Sequence, residues 1–171
     1  MTSKESFSQE EWASLVMAGT WVGHAIIISD RPRRVRKEFK ALRNAFDLAA
    51  RNYPGNGLIG SVLPEAKAAA LVEIDAKAMF AKKDENMQRI MADLHVASMA
   101  LKKVEGKEGI DFRRWILNIG ELTALAVRDE EFAMIGMPGD EISRLERRVL
   151  RTVAKELGLI PYTVDIEPVK K

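Results

Sequence analysis

The hydrophobic pattern of the chain begins with a long uncharged stretch. Between Trp12 and Ser29 there is no Asp, Glu, Lys or Arg, and apolar residues would face nearly every side of a helix. Ser8 and Glu11 have the spacing of a capping box, and Phe7 and Trp12 that of a hydrophobic staple. Small and polar residues interrupt the stretch, which falls short of the ~20 apolar residues that span a membrane comfortably. We therefore predict a helix buried at the centre of a bundle.

The remaining pattern is that of amphipathic helices. Apolar residues recur at steps of three and four, which is the spacing of one buried helix face. Such segments occupy residues 35–49, 65–81, 87–104, 112–125 and 142–157. The predicted fold class is therefore all-α, a single-domain bundle of about six or seven helices. Its core is expected over 7–160, followed by an extended C-terminal tail over 161–171.

Capping residues and turn residues predict where several of these helices begin. Asp30 is suited to cap the second helix, Pro64 to open the third and Asp111 to cap the fifth. The sequence "KKDEN" predicts a break before the fourth helix, with Asp84 as its cap. The third helix is thus expected to start after a short apolar turn, "LIGSVL".

The last predicted helix has the clearest boundaries. Ser143 and Glu146 repeat the capping-box spacing, and Gly158 is suited to the left-handed position that ends a helix. Its apolar residues are predicted to face the core: Ile142, Leu145, Val149, Val153 and Leu157.

The composition narrows the function classes. The chain of 171 residues has no cysteine, two histidines and a net charge of +2. The lack of cysteine excludes disulfides and thiolate metal sites, and the acid-containing start lacks a secretory pattern, so we expect a cytoplasmic protein. The histidines lack zinc-motif spacing and no serine lies in a nucleophile elbow. A non-catalytic role is therefore favoured over an enzyme built on dispersed carboxylates.

Basic residues form stripes on two predicted helices. Residues 30–43 contain seven Lys or Arg and two acids, and the last helix repeats this theme. If the helices lie side by side, the stripes would form one surface that attracts phosphate or lipid head groups. The alternative is a solvated face whose long stems cover the edge of the core and pair with acids. The candidate residues for an anionic partner are Arg33, Arg36, Lys37, Lys40, Arg43, Arg144, Arg147, Arg148 and Arg151.

The partner of these stripes stays open among several kinds. A protein partner is expected, and peripheral contact with an anionic membrane and a homodimer are further alternatives. Nucleic acid is disfavoured, because the stripes lack interleaved aromatic residues, glycine-rich phosphate loops and any recognised nucleic-acid motif.

Clustered carboxylates precede the last helix and make a candidate cation site. Its predicted ligands are Asp129, Glu130, Asp140, Glu141 and Glu146, with Glu131 beside them. Calcium prefers several carboxylate and carbonyl oxygens, and a glycine-containing loop can offer both. Calcium is therefore the candidate cofactor, although the spacing is not that of an EF-hand. The alternative is a solvated loop whose acids favour the positive end of the last helix.

Two parts of the chain resemble each other. In the first, "IIISD" ends an apolar helix and "VRKEFKAL" follows. In the second, the apolar "GELTALAV" precedes Asp129, and "ISRLERRVL" follows after a longer loop. A glutamate precedes a leucine by four residues in both copies, at Glu38 with Leu42 and at Glu146 with Leu150. This echo predicts an internal duplication.

At these residues the chain resembles the tellurite-resistance TerB-like family. The hallmark of that family is a helix ending in an Ala-Asp-Gly turn, then a short spacer and a glutamate on the next helix. A second copy ends in Leu-Gly-Leu or a similar sequence. The segment "GDEISRLERRVLRTVAKELGL" is similar to the second copy, and "IIISDRPRRVRKEFKAL" to the first, with Ser-Asp-Arg-Pro in place of Ala-Asp-Gly. The resemblance covers residues 12–159, but the motifs that carry it lie at the two ends of this range.

The resemblance implies a duplicated, all-helical, cytoplasmic domain linked to tellurite and stress responses. It also implies calcium or another cation at clustered acids, and association with membrane-bound partners. By position, the acidic role falls on Asp30 and Glu38 in the first copy and on Asp140, Glu141 and Glu146 in the second. The basic residues beside Asp30 and the missing glycine make a cation in the first copy electrostatically unfavourable.

Overall fold

The computed structural model describes residues 2–30, 35–126 and 142–160, and this part of the chain is all-α, without a strand. The predicted fold class is thereby confirmed. The predicted tail over 161–171 lies outside the described residues. The α-helices are α1 (Gln9–Ser29), α2 (Val35–Ala50), α3 (Gly57–Ala70), α4 (Ala76–Ala81), α5 (Lys83–Ala100), α6 (Gly106–Ala126) and α7 (Arg144–Glu156). Two short 3-10 turns cover Lys4–Ser6 and Leu101–Lys103.

Helix α1 is the central element of the bundle, as its uncharged sequence predicts. It packs against α2, α3, α5, α6 and α7. Among the described helices it is the one whose length and composition would suit a membrane span, yet 72% of its apolar window is buried inside the fold. The neighbouring helices therefore cover most of its apolar surface.

The start of α1 has the predicted geometry. The Ser8 hydroxyl accepts a hydrogen bond from the Glu11 amide at 3.2 Å, and the Glu11 carboxylate accepts one from the Ser8 amide at 2.8 Å. The Phe7 and Trp12 rings lie 6.0 Å apart between centroids. The capping box and the staple together fix where the central helix enters the bundle.

Two glycines let α1 approach α2 closely. A Cβ atom on Gly23 would lie 2.2 Å from Cδ1 of Leu42, and one on Gly19 would lie 2.8 Å from Cε1 of Phe46. The side chains of α2 thus occupy the space that a larger residue on α1 would need. Helix α2 also packs along α6, where the Phe46 and Trp115 rings meet edge to face at 6.0 Å.

The boundaries of α3 and α4 differ from the prediction. Helix α3 begins at Gly57 because the Asn56 side chain accepts a hydrogen bond from the Ile59 amide at 3.0 Å. Pro64 therefore lies inside the helix on its exposed side, where it cannot donate the usual backbone hydrogen bond to the Gly60 carbonyl. A non-helical connection at 71–75 was not predicted, and Asp75 caps the short α4 by accepting from the Ala78 amide.

The predicted break before α5 is confirmed at Lys82, but the exact starts of α5 and α6 differ from the prediction. Helix α5 begins at Lys83, so Asp84 lies in its first turn rather than at its cap. Helix α6 begins at Gly106, and Asp111 lies inside it. Tertiary contacts explain the early start of α6, because the Glu108 carboxylate accepts a hydrogen bond from the Leu58 amide at 3.1 Å. A contact between residues this far apart has no local sequence signal.

Helix α7 has the predicted ends but not all of the predicted core residues. The Ser143 hydroxyl and the Glu146 carboxylate form the capping box, and Gly158 has a φ of 70° after the last turn. Ile142, Val153 and Leu157 are buried. Leu145 was expected in the core and is 44% exposed, because it lies at the edge of the helix facing α5 rather than towards α1.

Candidate functional site

The most prominent polar feature of the described surface is a row of cations on α7. Arg144, Arg148, Arg151 and Lys155 are exposed and follow one another at steps of four, three and four residues. They point outward because the opposite side of α7 is buried against α1, α5 and α6. With Arg147 and Thr152 they line a groove of about 510 Å³, which we call the basic groove. Among the described residues, none of these four cations forms an ion pair.

Arg147 is part of the basic groove but also holds the end of its own helix. It is half-buried, and its Nε donates a hydrogen bond to the Ile142 carbonyl at 3.0 Å. The sequence placed Arg147 among the partner residues on spacing alone. The structure gives it a local contact that the other arginines of α7 lack.

The basic residues of α2 are placed differently from those of α7. Arg36, Lys37 and Lys40 are exposed, whereas Arg43 is half-buried and donates from Nε to the Ala70 carbonyl at 3.2 Å. Arg33 lies outside the described residues. Helix α2 packs mainly on α6, α1 and α3, whereas α7 packs mainly on α1, α5 and α6. The two helices therefore do not pack against each other along their lengths, and the basic groove is lined by residues of α7 alone.

Glu38, in the first turn of α2, lies near Asp30 at the end of α1 and near Glu146, which comes from the distant first turn of α7. Glu38 is half-buried, and its Oε2 atom has no hydrogen-bond partner among the described residues. Burial, then the charge of Glu146 and then that of Asp30 raise the pKa of Glu38 to about 7. The structure thus brings Glu146, from the second of the two similar segments, near Asp30 and Glu38 of the first. We call these three residues the acidic cluster.

The predicted cation site lies mostly beyond the described part of the chain. Asp129, Glu130, Asp140 and Glu141 are outside the described residues. Glu146 is described, and its carboxylate accepts a hydrogen bond from the Ser143 amide at 2.7 Å. Within the described ranges, no set of three Asp, Glu or His side chains is arranged to hold a metal ion by itself.

An apolar groove that the sequence did not indicate lies between α5 and α7, beside the end of α1. It has a volume of about 240 Å³, and we call it the α5–α7 groove. Its lining residues are Ser29, Lys83, Met87, Met91, Leu145, Arg148, Val149 and Thr152. Periodicity assigns Met87, Met91 and Leu145 to the core, so the groove becomes visible only when the two helices are placed in space.

The two histidines have unlike surroundings. His24 packs edge to face against Phe39, with ring centroids 5.6 Å apart, and burial lowers its pKa to about 4. It is therefore neutral near pH 7. His95 is exposed on α5 and contacts the Glu156 carboxylate of α7 through Nδ1. Within the described structure neither histidine has the surroundings of a zinc ligand.

Comparison with known proteins assigns the chain to no family. No protein-family model, curated protein or solved structure matches the chain. The resemblance to the TerB-like family and the internal duplication thus stay predictions from the sequence. The fold and the surfaces define an all-α bundle with a basic groove, an apolar groove beside it and an acidic cluster.

Proposed function

We propose that this protein is a non-catalytic binding module that contacts an anionic partner through the basic groove of α7. The observation that carries the proposal is the row of four exposed cations without ion pairs among the described residues. Unpaired arginines at one groove retain their donors for carboxylate or phosphate oxygens, which the guanidinium fork binds in pairs.

The distribution of charge supports this assignment. The whole chain carries a net charge of only +2, so it exerts little general attraction for polyanions. The row on α7 instead concentrates cations along one helix face. Binding at this face should be local, and it should weaken as salt screens the exposed arginines.

A salt titration tests the proposal directly. Fluorescence anisotropy would follow labelled acidic peptide and single-stranded RNA, and co-sedimentation would follow vesicles containing an anionic lipid. We expect at least one of these polyanions to bind at about 50 mM salt, with the affinity falling at least tenfold by about 500 mM. Absence of binding to all three at low salt would contradict the proposed function.

As a second candidate function, we propose that the protein takes up calcium or another cation at the acidic loop, which is the segment 129–141 before α7. The observation that favours it is the number of carboxylates in this segment, which is followed by Glu146 in the first turn of α7. A cation would compensate the carboxylate charges there. The ligands proposed from the loop remain Asp129, Glu130, Asp140 and Glu141, with Glu146 at the start of α7.

Thermal unfolding of chelator-stripped protein tests this second function, with magnesium as the control ion. Calcium at a hundredfold its dissociation constant should stabilise the fold by about 2.7 kcal/mol. The double substitution Asp140→Ala with Glu141→Ala should abolish that increase, whereas Glu105→Gln, at an exposed glutamate of the described surface, should preserve it. A melting temperature that does not respond to millimolar calcium would contradict the proposed cation binding.

The cellular role proposed from the TerB-like resemblance is a stress-associated, cytoplasmic interaction module. It is supported by the two similar segments and by the all-α fold, and it includes a protein partner, with membrane contact or a homodimer as alternatives. Expression in a tellurite-sensitive bacterium would test it. Growth on tellurite should improve with the intact protein and not with a variant whose α7 arginines are reversed in charge. Equal sensitivity with and without the protein would contradict this role.

A further inference from the structure

We infer that the α5–α7 groove, together with the basic groove beside it, binds an acidic amphipathic helix of a partner protein. This inference rests on the proposed function, because it names the class of anionic partner that the α7 surface would take. It begins from one observation: Arg148 and Thr152 line both grooves, so the apolar and the cationic surfaces share an edge.

The apolar half of this surface is suited to bind apolar side chains rather than a phosphate backbone. Met87 and Met91 from α5 and Leu145 and Val149 from α7 line the α5–α7 groove. Leu145 is 44% exposed although its helix has a well-formed core side. Methionine side chains adapt to the shape of a partner, and grooves of this kind take apolar anchors of helices.

The polar half supplies charges at helical spacing. Arg144, Arg148, Arg151 and Lys155 recur along α7 at the steps of one helix face. A second helix lying along α7 would present carboxylates at matching intervals, because both helices rise by about 1.5 Å per residue. Lys83 at the opposite rim donates to the Ser29 carbonyl at 2.8 Å, so one edge of the groove is fixed.

The combination of an apolar groove and a row of cations favours a protein helix over nucleic acid or an anionic membrane as the partner. A phosphate backbone would pair with the arginines but has no apolar side chain for the methionine-lined groove. A bilayer presents a broad surface, whereas this groove is recessed between two helices. An amphipathic helix with leucines on one stripe and glutamates on the next would contact both halves at once.

Two designed peptides separate the contributions of charge and apolar contact. The first is a fluorescein-labelled helical peptide with leucine and glutamate stripes, and the second has alanine in place of every leucine at unchanged charge. We expect the leucine peptide to bind at least tenfold more tightly to the full chain, and Arg148→Glu to weaken both peptides. Single-stranded RNA and anionic vesicles would be measured in parallel.

Substitutions in the groove provide the matched control. Leu145→Ser should weaken the leucine peptide about tenfold and leave the alanine peptide unchanged, since one buried aliphatic contact is worth about that factor. Leu48→Ser is the control, because Leu48 on α2 has the same exposure of 44%. Val149→Thr, which nearly preserves shape, serves as a second groove variant if Leu145→Ser lowers the melting temperature.

The outcomes distinguish this inference from the proposed function on which it rests. Equal affinity for the two peptides would overturn the apolar groove as a docking site and leave the anionic partner in place. Tight binding to RNA or vesicles without binding to the leucine peptide would also overturn the inference alone. A lack of binding to every polyanion would overturn both.

Discussion

Replacing Glu38 by glutamine removes one carboxyl from the acidic cluster while keeping its size and shape. The Oε2 atom of Glu38 is out of contact with solvent and has no hydrogen-bond partner among the described residues. Burial is the largest cause of its raised pKa, and the charges of Glu146 and Asp30 add to it. The folded protein therefore holds a proton on Glu38 more tightly than the unfolded chain does.

The sign of the pH dependence follows from the two pKa values. In the unfolded chain Glu38 has its ordinary pKa of 4.5, and folding raises that pKa to about 7. The contribution of the proton to stability is fully present below pH 4.5 and is lost as the pH rises through about 7. Near pH 8 the folded chain instead contains an ionised carboxylate that is poorly solvated and repelled by its neighbours.

The magnitude is limited by the exposure of the side chain. A pKa difference between 4.5 and about 7 corresponds at most to about 3 kcal/mol. Glu38 is only half-buried, so solvent screens part of this energy, and about 1 to 2 kcal/mol is the better expectation. Glu38→Gln should therefore stabilise the protein by about 1 to 2 kcal/mol at pH 8 and by much less at pH 4.

Urea unfolding of the wild type and the variant between pH 4 and pH 8, with chelator present, measures this difference. Taking the difference at each pH cancels the titration of groups that the two proteins share. Glu105→Gln is the control, because it makes the same change of side chain at an exposed position. A Glu38→Gln effect of the same size at pH 4 and at pH 8 would contradict a raised pKa of Glu38 in the folded protein.

The packing and the capping of the helices give further predictions. Gly23→Ala should destabilise the fold by about 1–3 kcal/mol, because its Cβ would lie 2.2 Å from the Leu42 side chain. Gly60→Ala lies in the interior of α3 with no atom near its added Cβ, so it should instead stabilise the fold by about 0.5–1 kcal/mol. Chemical denaturation would measure both changes in the free energy of unfolding. A stabilised Gly23→Ala would contradict the close approach of α1 to α2. Ser143→Ala should cost about 1 kcal/mol by removing the α7 cap, and an unchanged denaturation midpoint would contradict the capping box.

The elements that the sequence predicted well have strong local signals. Helix α1 combines a complete capping box at Ser8 and Glu11 with a long uncharged stretch, so both its start and its burial follow from nearby residues. Helix α7 likewise has Ser143 at its start and Gly158 after its end. Its cations follow from their spacing, because residues three and four apart share a helix face.

The errors have two different causes. Pro64 suggested a helix start, but the Asn56 cap begins α3 a full turn or more earlier. This cap is a local signal that the sequence prediction missed. Asp111 suggested a cap, but contacts of Glu108 with the first turn of α3 place the start of α6 before it, and such contacts have no local signal.

The candidate sites also divide into those with a local sequence signal and those that depend on tertiary contacts. The cations of the basic groove share one helix and could be grouped from spacing alone. The proximity of Glu38 to Glu146 could not, because it depends on how α2 and α7 meet. The α5–α7 groove was hidden for a related reason. An apolar residue follows the same periodicity whether its side chain is buried, as for Val153, or exposed, as for Leu145.

Reversing the charge of α7 is the sharpest test of whether this helix contains the binding surface. The variant combines Arg144→Glu, Arg148→Glu and Arg151→Glu, three exposed positions of the basic groove. Its matched control makes the same net-charge change at exposed lysines elsewhere: Lys77→Glu, Lys102→Glu and Lys107→Glu. We expect the first variant to lose the low-salt binding of every polyanion that the wild type takes up, while the control keeps most of it. Equal loss in both variants, or full binding by the α7 variant, would contradict the account.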